Sequence, residues 1–217
     1  MHYELNDDIS CCQVDGRLLF LDIARDLYFQ IDRANEQQYL AQLDQVTAAS
    51  DGPSTLGHVR HHVGAHTVTR KPSIAPRTSA LEQPPSAIPL TPTVLLEATW
   101  RLLVTRRRLR TRGLKAVLNE ASNVRRRLSA IDQSSPTEAS TAALTFRRVR
   151  PYVPITPVCL PDSIALLHFL AHRGVPADLV FGVTGAPFSA HCWLQSGSAV
   201  LNDTLGNVES YTPIRVI

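Results

Sequence analysis

The sequence predicts a two-domain α+β protein. Three observations carry this reading. Strand-like runs followed by a helix fill the first 45 residues. A proline-rich stretch occupies residues 71–92. In the last 60 residues one helix precedes antiparallel strands. The boundary falls near residue 85, giving a small β-meander unit at 1–85, linker included, and a second unit at 86–217. With 217 residues, 44% of them hydrophobic, the chain can bury an ordinary core.

In chain order, Ser10–Val14 reads as a short strand, and Asp15-Gly16 is a turn pair that hairpins favour. Leu18–Ile23 and Leu27–Ile31 are the next strand-like runs. Asp32 or Asn35 suits a helix N-cap, with Glu36 in the first turn and Tyr39, Leu40 and Leu43 on one face. One short helix is expected near Leu56–Val63, and the prolines from Lys71 to Pro92 read as an interdomain linker. From Thr93 the spacing is helical: Leu95, Leu102 and Leu109 recur every seven residues. Gly113 interrupts, and Leu114, Val117, Leu118, Ala121, Val124 and Leu128 continue. Two consecutive amphipathic helices with Arg-rich outer faces follow from this pattern. Pro151, Pro154 and Pro157 predict an extended approach to the next element. Leu160, Ile164, Leu167 and Ala171 share a helical face that ends at Gly174. Strands follow at Leu179–Val183, Ala190–Leu194 and Ala199–Asp203, the last two joined by a turn at Ser196–Ser198.

Charge is unevenly placed. Residues 101–150 carry 13 basic and 3 acidic side chains, whereas residues 1–100 carry 7 and 12. The Arg cluster, Arg106–Arg108 and Arg125–Arg127 foremost, lacks interleaved aromatics beyond Trp100 and any DNA-reading motif. A solvated face or a partner surface is the expected role, with no nucleic acid. No apolar run reaches the ~18 residues of a membrane span, and the acidic start Met1–Asp8 does not resemble a secretory signal. Four cysteines, two of them adjacent, give neither a disulfide framework nor paired zinc spacing, so a reduced, cytoplasmic protein is expected. His58, His61, His62 and His66 include i, i+4 pairs that could hold a metal if helical. No carboxylate or Cys lies close by in sequence, and no metal is expected. The usual phosphate loop is absent.

Cys159 opens the helix that ends at Gly174. Free backbone N–H groups and the helix dipole favour a thiolate there, and the thiolate is the nucleophile. A base and a group to orient it are also needed. If the hairpin turns on Gly197 with a three-residue loop, His191 pairs with Asp203 and Trp193 with Leu201, all on one face. A one-residue slip would spoil that pairing. Cys192, by strand alternation, is expected to point away from His191.

Cys159-Leu-Pro-Asp-Ser-Ile-Ala-Leu, His191-Cys-Trp-Leu and Leu201-Asn-Asp203 with a trailing Tyr211 resemble the leader peptidases of lasso-peptide biosynthesis. The resemblance implies a papain/transglutaminase-like cysteine protease domain at 86–217. Cys159 would be its nucleophile, His191 its general base and then acid, and Asp203 the residue orienting the imidazole. Cys192 departs from the family pattern, where Ala is usual after the His. Residues 10–45 are similar to winged-helix-like recognition domains that bind leader peptides by adding them as a strand to a sheet edge. The implied partners are the leader region of a lasso precursor and an ATP-dependent lasso cyclase. Family members are often ATP-dependent, and no bound cofactor is expected. The same residues would also serve a transamidase or acyltransferase, and a non-catalytic precursor-binding adaptor would need none of them.

Overall fold

A computed structural model describes residues 2–50, 60–63, 66–71, 73–83, 91–129 and 136–217, with the backbone alone at 2, 4, 42–50, 60–63, 66–71, 129 and 136. The first sheet contains β1 (His2–Glu4), β2 (Ile9–Val14), β3 (Arg17–Asp22), β4 (Leu27–Phe29), β5 (Arg60–Val63) and β6 (His66–Lys71). Its order is β4-β3-β2-β1-β6-β5, antiparallel throughout. Asp15 and Gly16 both take positive φ (49° and 73°), the conformation that turns β2 tightly into β3. Helix α1 (Arg33–Ser50) follows β4. Asp32 caps it by accepting from the Asn35 N–H at 3.0 Å. The buried Glu36 carboxylate accepts from Arg17 Nε at 2.8 Å and from the Leu18 N–H, tying helix to sheet.

β3 is apolar at four consecutive positions, Leu18–Leu21, because both faces are covered. Leu18 and Phe20 join Cys11, Tyr39 and Leu40 in a small core under α1. Leu19, Leu21 and Ile23 point the other way, into the main core. The side chain of Leu43, expected on the same face as Tyr39, lies outside the described residues.

The second sheet is β11-β8-β9-β10-β7, built from β7 (Thr78–Ser79), β8 (Asp178–Thr184), β9 (Ser189–Ser196), β10 (Ala199–Val200) and β11 (Thr212–Val216). Helices α2 (Pro92–Ser129), α3 (Pro136–Val149) and α4 (Cys159–Ala171) pack together, and α5 (Leu205–Glu209) is a single short turn. α2 breaks at Gly113 (φ 76°, ψ 171°), where the pattern interrupts. Leu102 and Leu118 from its two halves meet Ile164 and Phe169 of α4 and Leu179 and Leu194 of the sheet in one continuous core with Leu21. α4 ends as expected: Gly174 at φ 75° lets the Val175 N–H return to the Leu170 carbonyl at 3.1 Å.

Several expectations are corrected. Residues 60–63 form strand β5 paired with β6, because Arg60, His61, His62 and Val63 sit opposite Thr69, Val68, Thr67 and His66; positions 56–59 lie outside the described residues. The i, i+4 histidine geometry therefore does not arise at His62 and His66, which lie on successive strands, while His58 lies outside the described residues. Between the Arg-rich helices and Pro151 stands α3, whose Ala139, Ala142, Ala143, Phe146 and Val149 are buried at helical spacing. Part of the stretch read as linker is structured: β7 lies parallel to β10. Glu82 accepts the Leu205 N–H at 2.9 Å. Part of the Arg-rich surface is paired within the protein, Arg101 with Glu97, Arg108 with Glu120 and Arg125 with Asp178 of β8.

Candidate active site

Cys159 is the first residue of α4 and is exposed, after Val158 in extended conformation (φ −141°, ψ 131°). The approach to it is braced. Arg150 grips Asp162 through both carboxylate oxygens at 3.0 and 3.1 Å and donates to the Ile155 carbonyl at 2.9 Å. Arg106 donates to the Thr156 carbonyl. Burial outweighs the Arg150 pair and holds the Asp162 carboxyl above its usual range.

His191 lies on β9 beside that helix end. Its Nε2 is 2.5 Å from Asp203 Oδ2, which leaves Nδ1 as the ring nitrogen for the thiol. Asp203 also accepts from Asn207 Nδ2 at 2.9 Å and from the Thr204 N–H at 2.7 Å. Burial acts against ionisation of this carboxyl, yet the bonds from His191, Asn207 and Thr204 outweigh it and keep the group below its ordinary range. Trp193 and Tyr211 pack on the imidazole, with ring centroids 6.1 and 5.2 Å away.

Cys159, His191 and Asp203 thus converge, but not through the hairpin register that the sequence suggested. Ala199 pairs with Ser196 and Val200 with Gln195, so the turn is Gly197-Ser198, one residue shorter than expected. In that register Asp203 would fall on the wrong face. The ladder instead stops at Val200, and the Leu201 N–H makes the last bond, to the Leu194 carbonyl at 2.9 Å. Asn202 then substitutes a side chain for the strand. Its Oδ1 accepts the Leu194 N–H at 2.8 Å, and its Nδ2 donates to Ser163 Oγ at 2.9 Å. The chain bends there and returns the Asp203 carboxylate to His191. Trp193 and Leu201 are accordingly not a pair. Trp193 packs with Val180, Val200 and Val208, while Leu201 enters the main core.

A second correction concerns Cys192. It is buried, and its thiol donates to Cys159 rather than standing apart. That bond, then the one to His191, pulls the Cys159 thiol down to about 4 against the opposing effect of burial. The Cys159 charge, with burial, pushes the Cys192 thiol well above the ordinary thiol range. His191 is pushed up to about 9, first by Asp203 and then by Cys159. At neutral pH the arrangement is a thiolate beside an imidazolium, with a carboxylate behind it.

Ser163 and Asn202 fall inside the motifs around Cys159 and Asp203, but their roles were missed in the sequence. Ser163 stands one helical turn after Cys159 and donates to the Cys192 carbonyl at 3.2 Å, so an i, i+4 polar pair on an apolar helix was the available signal. Among the described residues no group of three His, Cys, Asp or Glu side chains is placed to hold a metal, and no described helix is long and apolar enough to cross a membrane.

Comparison with known proteins agrees with this architecture. No solved structure matches the chain. The microcin J25-processing protein McjB of Escherichia coli is 44% identical over 45 residues, which cover 21% of this chain and 22% of that protein. Residues 100–216 match the family model of the transglutaminase-like superfamily. That segment holds α2 to β11 with the helix-opening cysteine and the strand histidine, and it is more than half of the sequence; the chain belongs to the transglutaminase-like superfamily.

Proposed function

We propose that the protein is a cysteine peptidase that cuts a lasso-peptide precursor between leader and core, with Cys159, His191 and Asp203 as its triad. The observation that carries the proposal is the pairing of a thiol lowered to about 4 with an imidazole raised to about 9 and held by a carboxylate. The similarity to a microcin J25-processing protein supports the substrate class.

In this reading the Cys159 thiolate attacks the scissile carbonyl carbon. The Cys159 backbone N–H, first of the helix, faces the developing oxyanion. His191 gives its proton to the leaving amine as the C–N bond breaks, and a thioester remains. Neutral His191 then takes a proton from water, and the hydroxide attacks the thioester carbon. The C–S bond breaks to return the Cys159 thiolate beside protonated His191, and the leader leaves as a carboxylate after losing its proton to solvent. Asp203 keeps the imidazole oriented throughout. The freed core amine would pass to an ATP-dependent cyclase.

Residues 1–85 would recognise the leader, with β2–β4 and α1 as the winged-helix-like part, and residues 86–217 would be the peptidase. Among the described residues β4 ends its sheet and offers an edge for an added strand. An apolar pocket of about 90 Å³ between Leu5, Ile9, Phe20, Phe29, Ile31 and Tyr39 is sized for one leader side chain.

The test is mass spectrometry of a synthetic lasso precursor incubated with the full chain in H₂¹⁸O. Two fragments with ¹⁸O in the leader carboxylate, and none from Cys159→Ala, are expected. An amine adduct on the leader would assign a transamidase instead, and an intact precursor that stays bound would assign a binding adaptor.

A further inference from the structure

The two halves of the chain touch three residues from His191 in sequence, at Phe188. Tyr28 lies on β4, opposite Leu21, so its ring faces away from α1 and packs against the main core. Its ring centroid is 5.6 Å from that of Phe188, at 58°. Phe188 closes the turn between β8 and β9, three residues before His191, and is 52% exposed. The same turn is held from below. A Cβ on Gly185 would stand 2.0 Å from Asp15 Oδ2, so the β2–β3 turn already sits against it. Val158, immediately before Cys159, is 47% exposed, and Leu27, beside Tyr28, is 49% exposed.

Exposed apolar side chains next to the nucleophile and three residues before the histidine call for an occupant. We propose that Tyr28, Phe188 and Val158 form an apolar subsite for a substrate side chain on the acyl side of the scissile bond, so that the N-terminal sheet supplies a wall of the peptidase site. The inference rests on the peptidase reading above. The acyl side follows from it, because the leader is the acyl portion and the sheet carrying Tyr28 is the one assigned to leader binding. A strand added to the β4 edge would run beside Tyr28. The Tyr28 hydroxyl is kept neutral, chiefly by burial and then by the charges of Cys192, Asp26 and Cys159. It therefore presents an uncharged ring to the substrate. Tyr28 is in this sense a positioning residue for the peptide, and it takes no part in proton transfer.

The test uses the full chain and N-acyl dipeptidyl vinyl sulfones carrying Leu, Phe, Gly or Asp at each of the two residues before the electrophile. Labelling rates at Cys159 are divided by the iodoacetamide rate of the same variant, which removes any change in the thiolate itself. The wild type is expected to prefer Leu or Phe over Gly and Asp at one position by at least about tenfold, the discrimination a partly open apolar pocket supplies. Tyr28→Ala and Phe188→Ala should each erase most of that preference, and Tyr28→Phe should keep it. Phe188 is half exposed, so its variant gives the answer even if Tyr28→Ala does not fold. An equal rate for all probes, or a preference that survives both Ala variants, overturns the subsite and leaves the peptidase reading standing. A Cys159 that reacts with iodoacetamide only as an ordinary thiol overturns the peptidase reading, and the subsite with it.

Discussion

Cys159 owes its low pKa to two neighbours, and each should leave its own mark on a pH profile. Lowering the pKa of a thiol means that thiolate is present above the lowered value, so alkylation of Cys159 should be half-maximal near pH 4. Cys192→Ala removes the largest of the lowering influences. Its alkylation profile should move toward higher pH, with tenfold less thiolate at acidic pH for each pKa unit lost. Labelling by iodoacetamide followed by peptide mass spectrometry reads this directly, and a profile unmoved by Cys192→Ala would contradict the thiol–thiol contact. Asp203→Asn acts on the other partner. A raised imidazole pKa keeps His191 protonated up to about 9, and loss of its principal partner should bring the alkaline limb of cleavage down in pH. The maximal cleavage rate should fall by on the order of 10²–10⁴-fold, as when other triads lose the orienting carboxylate. A rate-against-pH series on the precursor measures both effects.

Gly182 shows how one element is fitted to the site. It pairs with His191 across β8 and β9, and a Cβ there would lie 2.7 Å from Trp193 Cζ3 and 2.8 Å from Tyr211 Cβ. Gly182→Ala should therefore destabilise the protein by about 1–3 kcal/mol in urea unfolding, as overpacking does. Cleavage should also suffer, because both rings rest on the imidazole. Elements of this kind were legible where periodicity and punctuation agree: the Asp15-Gly16 hairpin, the break at Gly113, α4 from Cys159 to the Gly174 stop, and the strands around Val180 and Trp193. The candidate cysteine, histidine and aspartate were legible too, though the shorter turn and the Asn202 side chain that brings Asp203 round could not be read from spacing. β7 is two residues long and exists only through its distant parallel partner. β11 carries Pro213 at an edge and bulges between Pro213 and Arg215, which hides its alternation. α3, by contrast, had a readable apolar stripe, obscured by the prolines around it.

Across the whole molecule the core does not respect the division near residue 85, since Cys12, Leu19 and Leu21 pack with residues of α2 and α4. Unfolding should consequently be a single transition. Cys11 and Cys12 in the first sheet and Cys192 in the second are all buried, so thiol labelling across a urea series compares the two halves within one chain. All three should become reactive at the same urea concentration, and earlier exposure of Cys11 and Cys12 would show two separable units. The β7 strap has a consequence of its own. Ser79 donates to the backbone carbonyl of Asp203 at 2.5 Å, and β7 with Glu82 belongs to the second sheet and its loop. If the protein were expressed as two co-produced polypeptides, a division after residue 83 would hand the brace of the Asp203 backbone to the wrong partner. A division between Lys71 and Ser73 would keep it, and the two pieces could then reassemble across the shared core with the Asp203 loop already in place.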